Sequence, residues 1–321
     1  MYRFFAFLAA VALTTVTVSS SCLAGSADNI RFQLQPASTA GEVHLSLFSG
    51  SDGHHNNMGS TFRISELAGL NMASLQAPGN NPVNFALVRE AGRVDCAGAG
   101  GASLATGTCA FTANAAFSDY LASRGIARPD REDAYGLAMV GATRSLVETL
   151  ASANYPRPTI DELMSLAAVG VTPQFIGDLA RRGYKPKSLD ELVQFAALDI
   201  TPAYIDAMVR SGYRNMTADT IVEMKAVGVT PDYVSRLARA GYANVGADDI
   251  VQLKALDITP EFIAGFERIG YRGLSADTLV QLKALDVTPE YVEQLRRSGF
   301  ASLSPDKLVQ MKALDIEPSN R

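Results

Sequence analysis

The stretch VQLKALDITPEFIAGFERIGY, Val251 to Tyr271, is followed 29 residues later by VQLKALDVTPEYVEQLRRSGF, Val280 to Phe300. A near-copy at fixed spacing marks a stacked-repeat architecture and has to be settled before any single residue is interpreted. The step is strict. Pro173, Pro202, Pro231, Pro260, Pro289 and Pro318 keep it, as do Gly183, Gly212, Gly241, Gly270 and Gly299, each of which precedes an aromatic residue: Tyr184, Tyr213, Tyr242, Tyr271 and Phe300. Thr159, Ser188, Thr217, Gly246, Ser275 and Ser304 keep it too, each with Asp two positions later.

These signals predict two short helices per unit, A and B. In the unit that begins at Ser275, the serine hydroxyl accepts from free amides of the first turn, and Asp277 meets the positive end of the helix dipole. Helix A then carries Leu279, Val280, Leu282 and Leu285 and ends at Asp286-Val287. Thr288 caps helix B and Pro289 takes its first position, where a missing N–H costs nothing. Tyr291, Val292 and Leu295 form the buried face of helix B. Gly299 stops it, because glycine enters the left-handed conformation without strain. At about ten residues each, neither helix is stable alone in water, so neighbouring units must supply the packing.

The register continues upstream. Phe117 and Gly125 lie two periods before Phe175 and Gly183, and Leu146, Leu150 and Tyr155 fall one period before Phe175, Leu179 and Tyr184. Residues 115–318 therefore read as an α-solenoid of about seven two-helix repeats, with a polar tail at 319–321. Before it, NIRFQLQ, GEVHLSLF, VNFALVRE, GRVDCAG and GTCAFTAN are short alternating runs separated by Gly, Pro, Asn and Ser, the pattern of antiparallel strands. FRISELAGLN holds one helical turn. Residues 28–114 form a small β-rich domain, and the chain as a whole is α+β. No long Pro or Gly/Ser linker separates the two parts, which are expected to pack together.

Residues 1–24 read as a secretory signal peptide: Arg3, an apolar stretch from Phe4 to about Val18, and a small-residue site at Cys22-Leu23-Ala24. The localisation expected is periplasmic or secreted. A lipoprotein anchored at Cys22 is the lesser alternative, because Ser19 stands where an aliphatic residue is usual. No later stretch is apolar enough to span a bilayer. With Cys22 removed, Cys96 and Cys109 remain as an even pair in an oxidising space, on two strands joined by a glycine-rich loop, and are expected to form a disulfide.

Catalytic and cofactor motifs are missing from the sequence. The three histidines, His44, His54 and His55, all lie in the β region, and no His-Glu-x-x-His, Gly-x-Ser-x-Gly or Walker pattern occurs. DGHHNN around His54 and His55 is a weak metal candidate through paired imidazoles and Asp52; a solvated loop is the plainer reading. GAGGAS, Gly98 to Ser103, lacks the following Lys of a phosphate loop and reads as a hairpin turn. A net charge of −5, with no basic cluster interleaved with aromatics, argues against nucleic acid. No cofactor is implied.

The repeats do present ladders of side chains. Arg181, Arg210, Arg239, Arg268 and Arg297 recur at the period and fall opposite Phe262, Phe266 and Ile269 on the helical wheel, toward solvent. They form a candidate partner-binding row for carboxylates. Local stabilisation competes with that reading, since arginine in a last turn suits the dipole and Asp206 and Glu293 precede Arg210 and Arg297 by four residues. Lys225, Lys254, Lys283 and Lys312 form a second ladder, with Asp257, Asp286 and Asp315 three residues after the last three; these pairs are expected to fix register between units. Phe175, Tyr204, Tyr233, Phe262 and Tyr291 are read as core.

The repeat unit, together with VNFALVREAGRVDCAG and GTCAFTANAAF upstream, resembles a group of bacterial exported proteins with GVTP-type helical repeats, over roughly residues 28–318. Similar repeats are appended to some metallopeptidases resembling the beta-lactam-sensing antirepressors. This chain has neither their metal motif nor their multiple membrane helices, so peptidase activity does not carry over. The function expected is that of a non-enzymatic exported scaffold for a protein partner. The alternatives are an envelope hydrolase or metal-binding protein acting through the β domain, and a structural envelope spacer. The helix-stop assignment has a direct test: Gly241→Val is expected to lower the melting temperature, because a β-branched residue resists positive φ, and an unchanged melting temperature contradicts it.

Overall fold

Ala102 (φ 50°) and Ser103 (φ 74°) both occupy the left-handed region and turn GAGGAS into a hairpin. Positive φ at both central positions gives a turn whose twist matches that of the strands it joins. The computed structural model describes residues 30–49, 56–300 and 302–316. The segment expected to be a signal peptide, Cys22, His54, His55 and Pro318 fall outside them. The chain forms two compact units, one up to Gly170 and one from Val171.

In the first unit, β1 (Ile30–Pro36), β2 (Glu42–Ser49), β3 (Asn56–Arg63), β4 (Leu67–Ala68), β5 (Asn81–Val88), β6 (Gly92–Gly101) and β7 (Leu104–Ala113) make one sheet. Its order is β3-β2-β1-β7-β6-β5-β4, antiparallel throughout. The five runs expected as strands are strands. β3 was not expected: NNMGSTFR is polar and lacks alternation, and its pairing with β2 from Glu42↔Arg63 to Ser49↔Asn56 supplies the order its own sequence does not. FRISELAGLN holds the expected single turn, a 3-10 turn at Ile64–Glu66, and also the short β4. Helix α1 (Met72–Gln76) follows, with the Asn71 side chain accepting from the Ala73 amide.

Ile30, Phe32 and Leu34 of β1, Val43, Leu45 and Leu47 of β2, and Val83, Phe85 and Leu87 of β5 are buried on one face of the sheet. Gly107 pairs with Gly98 beneath the Phe32 ring; a Cβ on Gly107 would stand 2.6 Å from that ring and 2.3 Å from the Ala97 carbonyl oxygen. Cys96 faces Cys109 directly across β6 and β7 at a Cα separation of 4.1 Å, and the two form the expected disulfide. Four helices complete the unit: α2 (Ala115–Ser123), α3 (Arg131–Val140), α4 (Arg144–Ser152) and α5 (Ile160–Ala168). Tyr135 of α3 sets its ring edge-on to Phe111 of β7, with centroids 5.3 Å apart. Contacts of this kind contribute about 0.5–1.5 kcal/mol beyond burial and join helices and sheet in one core. The repeat register is already present here, since α2 and α4 end before Gly125 (φ 73°) and Asn154 (φ 56°), one period apart and one period before Gly183.

The second unit runs through α6 (Pro173–Arg181), α7 (Leu189–Ala197), α8 (Pro202–Arg210), α9 (Ala218–Ala226), α10 (Pro231–Arg239), α11 (Ala247–Ala255), α12 (Pro260–Arg268), α13 (Ala276–Ala284), α14 (Pro289–Arg297) and α15 (Pro305–Ala313). Even-numbered members are B helices and odd-numbered ones A helices. Thr172, Thr201, Thr230, Thr259 and Thr288 cap the B helices, each hydroxyl accepting from the amide three residues on. The stops are symmetrical in kind. Gly212 (φ 107°) follows α8 while the Tyr213 amide donates back to Met208; Asp199 (φ 53°) follows α7 while the Ile200 amide donates to Phe195. Both are Schellman-type ends. The A helices use Asp199, Gly228, Asp257, Asp286 and Asp315 at this left-handed position, a role of Asp that the sequence reading did not assign.

Helices α7 and α8 meet at 76°. Successive A helices pack directly, α9 on α11, α11 on α13 and α13 on α15. A single core cluster takes Phe266 from α12, Leu282 from α13, Tyr291, Val292 and Leu295 from α14, and Leu308 and Met311 from α15. Two ladders tie one repeat to the next. In the first, Tyr204, Tyr233 and Tyr291 donate through their hydroxyls to the carbonyls of Val229, Ile258 and Ile316, at 2.9, 2.8 and 2.7 Å. In the second, Tyr213, Tyr242 and Tyr271 donate to Val245, Leu274 and Leu303, at 3.0, 2.6 and 2.7 Å.

The lysine ladder works differently from the expectation. Lys254 does pair with Asp257 at 3.8 Å, but Lys225 pairs with Asp199 of the preceding repeat at 3.6 Å. The common feature is instead an aromatic face: Lys225, Lys254, Lys283 and Lys312 stand over Tyr204, Tyr233, Phe262 and Tyr291, at 4.7, 5.2, 5.0 and 4.7 Å from the ring centroids. The ammonium nitrogens themselves lie over the ring faces, a cation–π contact repeated from unit to unit. Phe262, like Phe175, is a member of the first ladder without a hydroxyl. Phe262→Tyr is expected to gain a bond to the Val287 carbonyl, 25 residues on as in the other repeats, and to stabilise the chain by about 1 kcal/mol. Urea unfolding checks this; no gain would mean that the ring at that repeat sits out of register.

Candidate functional site

Every B helix of the second unit is nine residues long, started by Thr-Pro and stopped by Gly, and its last helical residue is the ladder arginine: Arg181, Arg210, Arg239, Arg268 or Arg297. Equal length puts the five at equivalent positions. All five are exposed, as the wheel predicted, with the aromatic, the β-branched or Ile residue and the third apolar residue of each helix turned inward.

The arginines differ in what holds them. Arg181 is paired with Asp178, three residues back on α6, and Arg297 with Glu293 at 3.6 Å on α14. Arg210 does not take Asp206, the partner its spacing suggested. That carboxylate accepts instead from Arg182 of the preceding repeat, at 2.9 and 2.8 Å, and the hydrogen-bonded guanidinium holds the Asp206 carboxyl below the usual range. Sequence spacing favoured the contact within the helix; stacking brings the end of α6 beside α8 and a two-pronged bond wins. Among the described residues Arg210, Arg239 and Arg268 form no ion pair. These are the middle three of the row.

Between α10 and α12 lies an open groove of 390 Å³ lined by Arg239, Ala240, Pro260, Ile263, Ala264 and Glu267. Its lining combines small apolar residues with charged ones. Arg236, also on the α10 side, is engaged by Asp232 at 3.1 Å. Glu261 is held below the usual carboxyl range first by a hydrogen bond with Thr259 and further by the nearby Arg236 charge. The lining thus carries both signs, Arg236 and Arg239 together with Glu261 and Glu267.

The other candidate positions fall elsewhere. His44 is half-buried on β2, its ring 3.1 Å from where a Cβ on Gly59 would stand. His54 and His55 are outside the described residues, within which no group of three His, Cys, Asp or Glu side chains is placed to hold a metal. No described helix is long and apolar enough to cross a membrane by itself. The Arg182–Asp206 bridge and the tyrosine-to-carbonyl ladders escaped the sequence reading. Their signal was there in part, as two aromatic residues per repeat, at least one of them tyrosine, at strict spacing; which atoms they meet depends on the stacking.

No protein-family model, curated protein or solved structure matches the chain.

The tyrosine ladders give the second unit a pH dependence. Burial pushes the phenols of Tyr204 and Tyr213 up to about 12 from an ordinary 10, for Tyr213 with a smaller contribution from Asp249. A folded-state value above the unfolded one means the contribution is whole below pH 10 and is lost as pH rises toward 12. Urea stability is expected to fall across this alkaline window, and Tyr204→Phe with Tyr213→Phe is expected to flatten the fall while lowering stability at neutral pH. A flat profile in the parent protein would contradict the burial of these phenols.

Proposed function

We propose that the protein is an exported, non-enzymatic interaction scaffold that holds a protein partner along the B-helix ends of its second unit. The observation carrying this reading is the state of Arg210, Arg239 and Arg268. Three exposed guanidinium groups stand at equivalent places on consecutive repeats without an ion pair among the described residues. Arg181 and Arg297 have ion-pair partners on their own helices; the middle three keep only the favourable last-turn position on the helix dipole, with Arg210 also acting on Asp206 through its charge. Arginine presents a rigid fork of donors suited to carboxylates. Repetition of one such group along a stack is how repeat proteins build extended binding surfaces.

Export is supported by the Cys96–Cys109 bridge, a kind of bond that persists in oxidising compartments, together with the signal-like composition of residues 1–24. The scaffold reading is tested by affinity capture from envelope extract with the full mature chain and with its Arg210→Glu, Arg239→Glu, Arg268→Glu variant. The substitutions lie on exposed positions, so far-ultraviolet circular dichroism is expected to be unchanged. Capture of a protein by the parent chain and its loss with the variant is the expected result; equal capture by both would remove the arginine row from the function.

A further inference from the structure

The two margins of the sheet are built differently. At one, β4 is two residues long and its neighbour β5 carries Pro82, devices that keep a strand edge from pairing with another chain. At the other, β3 runs for eight residues, Asn56–Arg63, paired with β2 residue for residue and without a bulge. Among the described residues β3 is paired on this one side only. From Asn56 to Phe62 it holds no Pro, Lys, Arg, Asp or Glu, so the usual protections of an edge are missing from it. We infer that β3 is a dimerisation edge, pairing antiparallel with β3 of a second copy of this chain about a two-fold axis at Gly59.

The hydrogen-bond phase of the ladder locates the open groups. The Ile64 amide donates to the Gly41 carbonyl at 3.0 Å, continuing the β2–β3 register. Successive residues of a strand direct their backbone groups to opposite sides. Met58, Ser60 and Phe62 therefore face β2, and Asn57, Gly59, Thr61 and Arg63 face outward. Arg63 is closed, because its amide donates to the Glu66 carboxylate at 3.0 Å, whose other oxygen accepts from Arg89. The open edge is Asn57, Gly59 and Thr61, centred on Gly59.

That set is its own complement. With Gly59 on the axis, Asn57 of each copy faces Thr61 of the other, Gly59 faces Gly59, and every outward amide and carbonyl of these residues finds a partner. An axis at Ser60 would set Asn57 against Arg63, whose amide is taken, and leave that pair half made. The side chains allow the pairing as well. Asn57 and Thr61 are uncharged and Arg63 lies beyond the paired stretch, so no like charges meet. Edges that take foreign peptides draw specificity from pockets for alternate side chains. Beside this one stand Gly59, Ser46 and His44, small or polar groups that select no particular side chain, so what the edge offers is a match to itself.

The experiment is analytical sedimentation of the full mature chain over a dilution series, with three variants. The parent is expected to show a reversible monomer–dimer equilibrium. Thr61→Pro removes an outward N–H and spares the ladder to β2; loss of one hydrogen bond from each copy is expected to weaken association roughly tenfold or more. Asn57→Lys with Thr61→Lys sets lysine against lysine at both outer pairs and is expected to do the same, so the outcome does not hang on one proline. Asn57→Cys with Thr61→Cys is expected to give a disulfide-linked dimer on oxidation, since facing residues stand about 5.5 Å apart, whereas either cysteine alone is not. A parent chain that is monomeric at every concentration overturns the inference, as does a dimer that the proline and lysine variants both leave intact, or cross-linking through a single cysteine. A monomeric parent whose capture of a protein from envelope extract is lost with Thr61→Pro assigns the edge to a foreign strand and overturns the second copy as its occupant. The Arg210→Glu, Arg239→Glu, Arg268→Glu variant is expected to dimerise as the parent does, so failure here and failure of the arginine row are read separately.

Discussion

A helix of nine residues does not hold itself together in water, because the cost of its first turn is recovered over too few hydrogen bonds. The repeats limit nearly every helix to that length. Thr-Pro starts the B helices, and a left-handed Gly or Asp stops both kinds. Stability has to come from neighbours, and one core cluster accordingly draws on α12, α13, α14 and α15 together. The cross-repeat hydroxyl bonds of Tyr204, Tyr233 and Tyr291 and the lysines above those rings follow from the same requirement. The hydroxyl bonds satisfy the carbonyls of Val229, Ile258 and Ile316, three residues past the ends of α9, α11 and α15.

The sheet meets a different constraint. Its strands alternate and pair in simple antiparallel order, and the β6–β7 hairpin carries both the disulfide and the facing glycines Gly98 and Gly107. Glycine there makes room for Phe32 rather than for a ligand phosphate. The first helices after the sheet already follow the repeat register and share its core through Phe111 and Tyr135, so the change from strand to helix after Ala113 is not a boundary between separate cores.

Because packing uses the aromatic, the Ile or Val, and the Leu, Met or Phe of each B helix, the helix end is left to solvent. There the same residue type has two fates. At the ends of the row arginine finds an acid on its own helix; in the middle Asp206 is drawn to the preceding repeat, and Arg210, Arg239 and Arg268 stay open. A row of identical residues in the sequence is thus a row of unequal groups in space, and the unequal part is what bears on binding.

The sequence alone determined the period, the two-helix unit, the Thr-Pro starts and Gly stops, the strand-rich beginning and the Cys96–Cys109 pair, because each rests on local backbone conformation or on alternation over a few residues. It also put the ladder arginines on the exposed side. Tertiary structure decided what no local pattern encodes: that the polar segment Asn56–Arg63 becomes a strand by pairing with β2, that Asp199, Asp257 and Asp286 serve as left-handed stops, and that Asp206 bonds Arg182 instead of Arg210. The lysines likewise meet rings of the preceding repeat more consistently than the acids beside them in sequence. For the strand, the Asp206 bond and the lysines the physical reason is the same: partners one repeat or one strand away are about as near as those one turn away, and stacking geometry selects between them; the Asp stops are local, but Asp favours the left-handed region too weakly to announce it in sequence as Gly does.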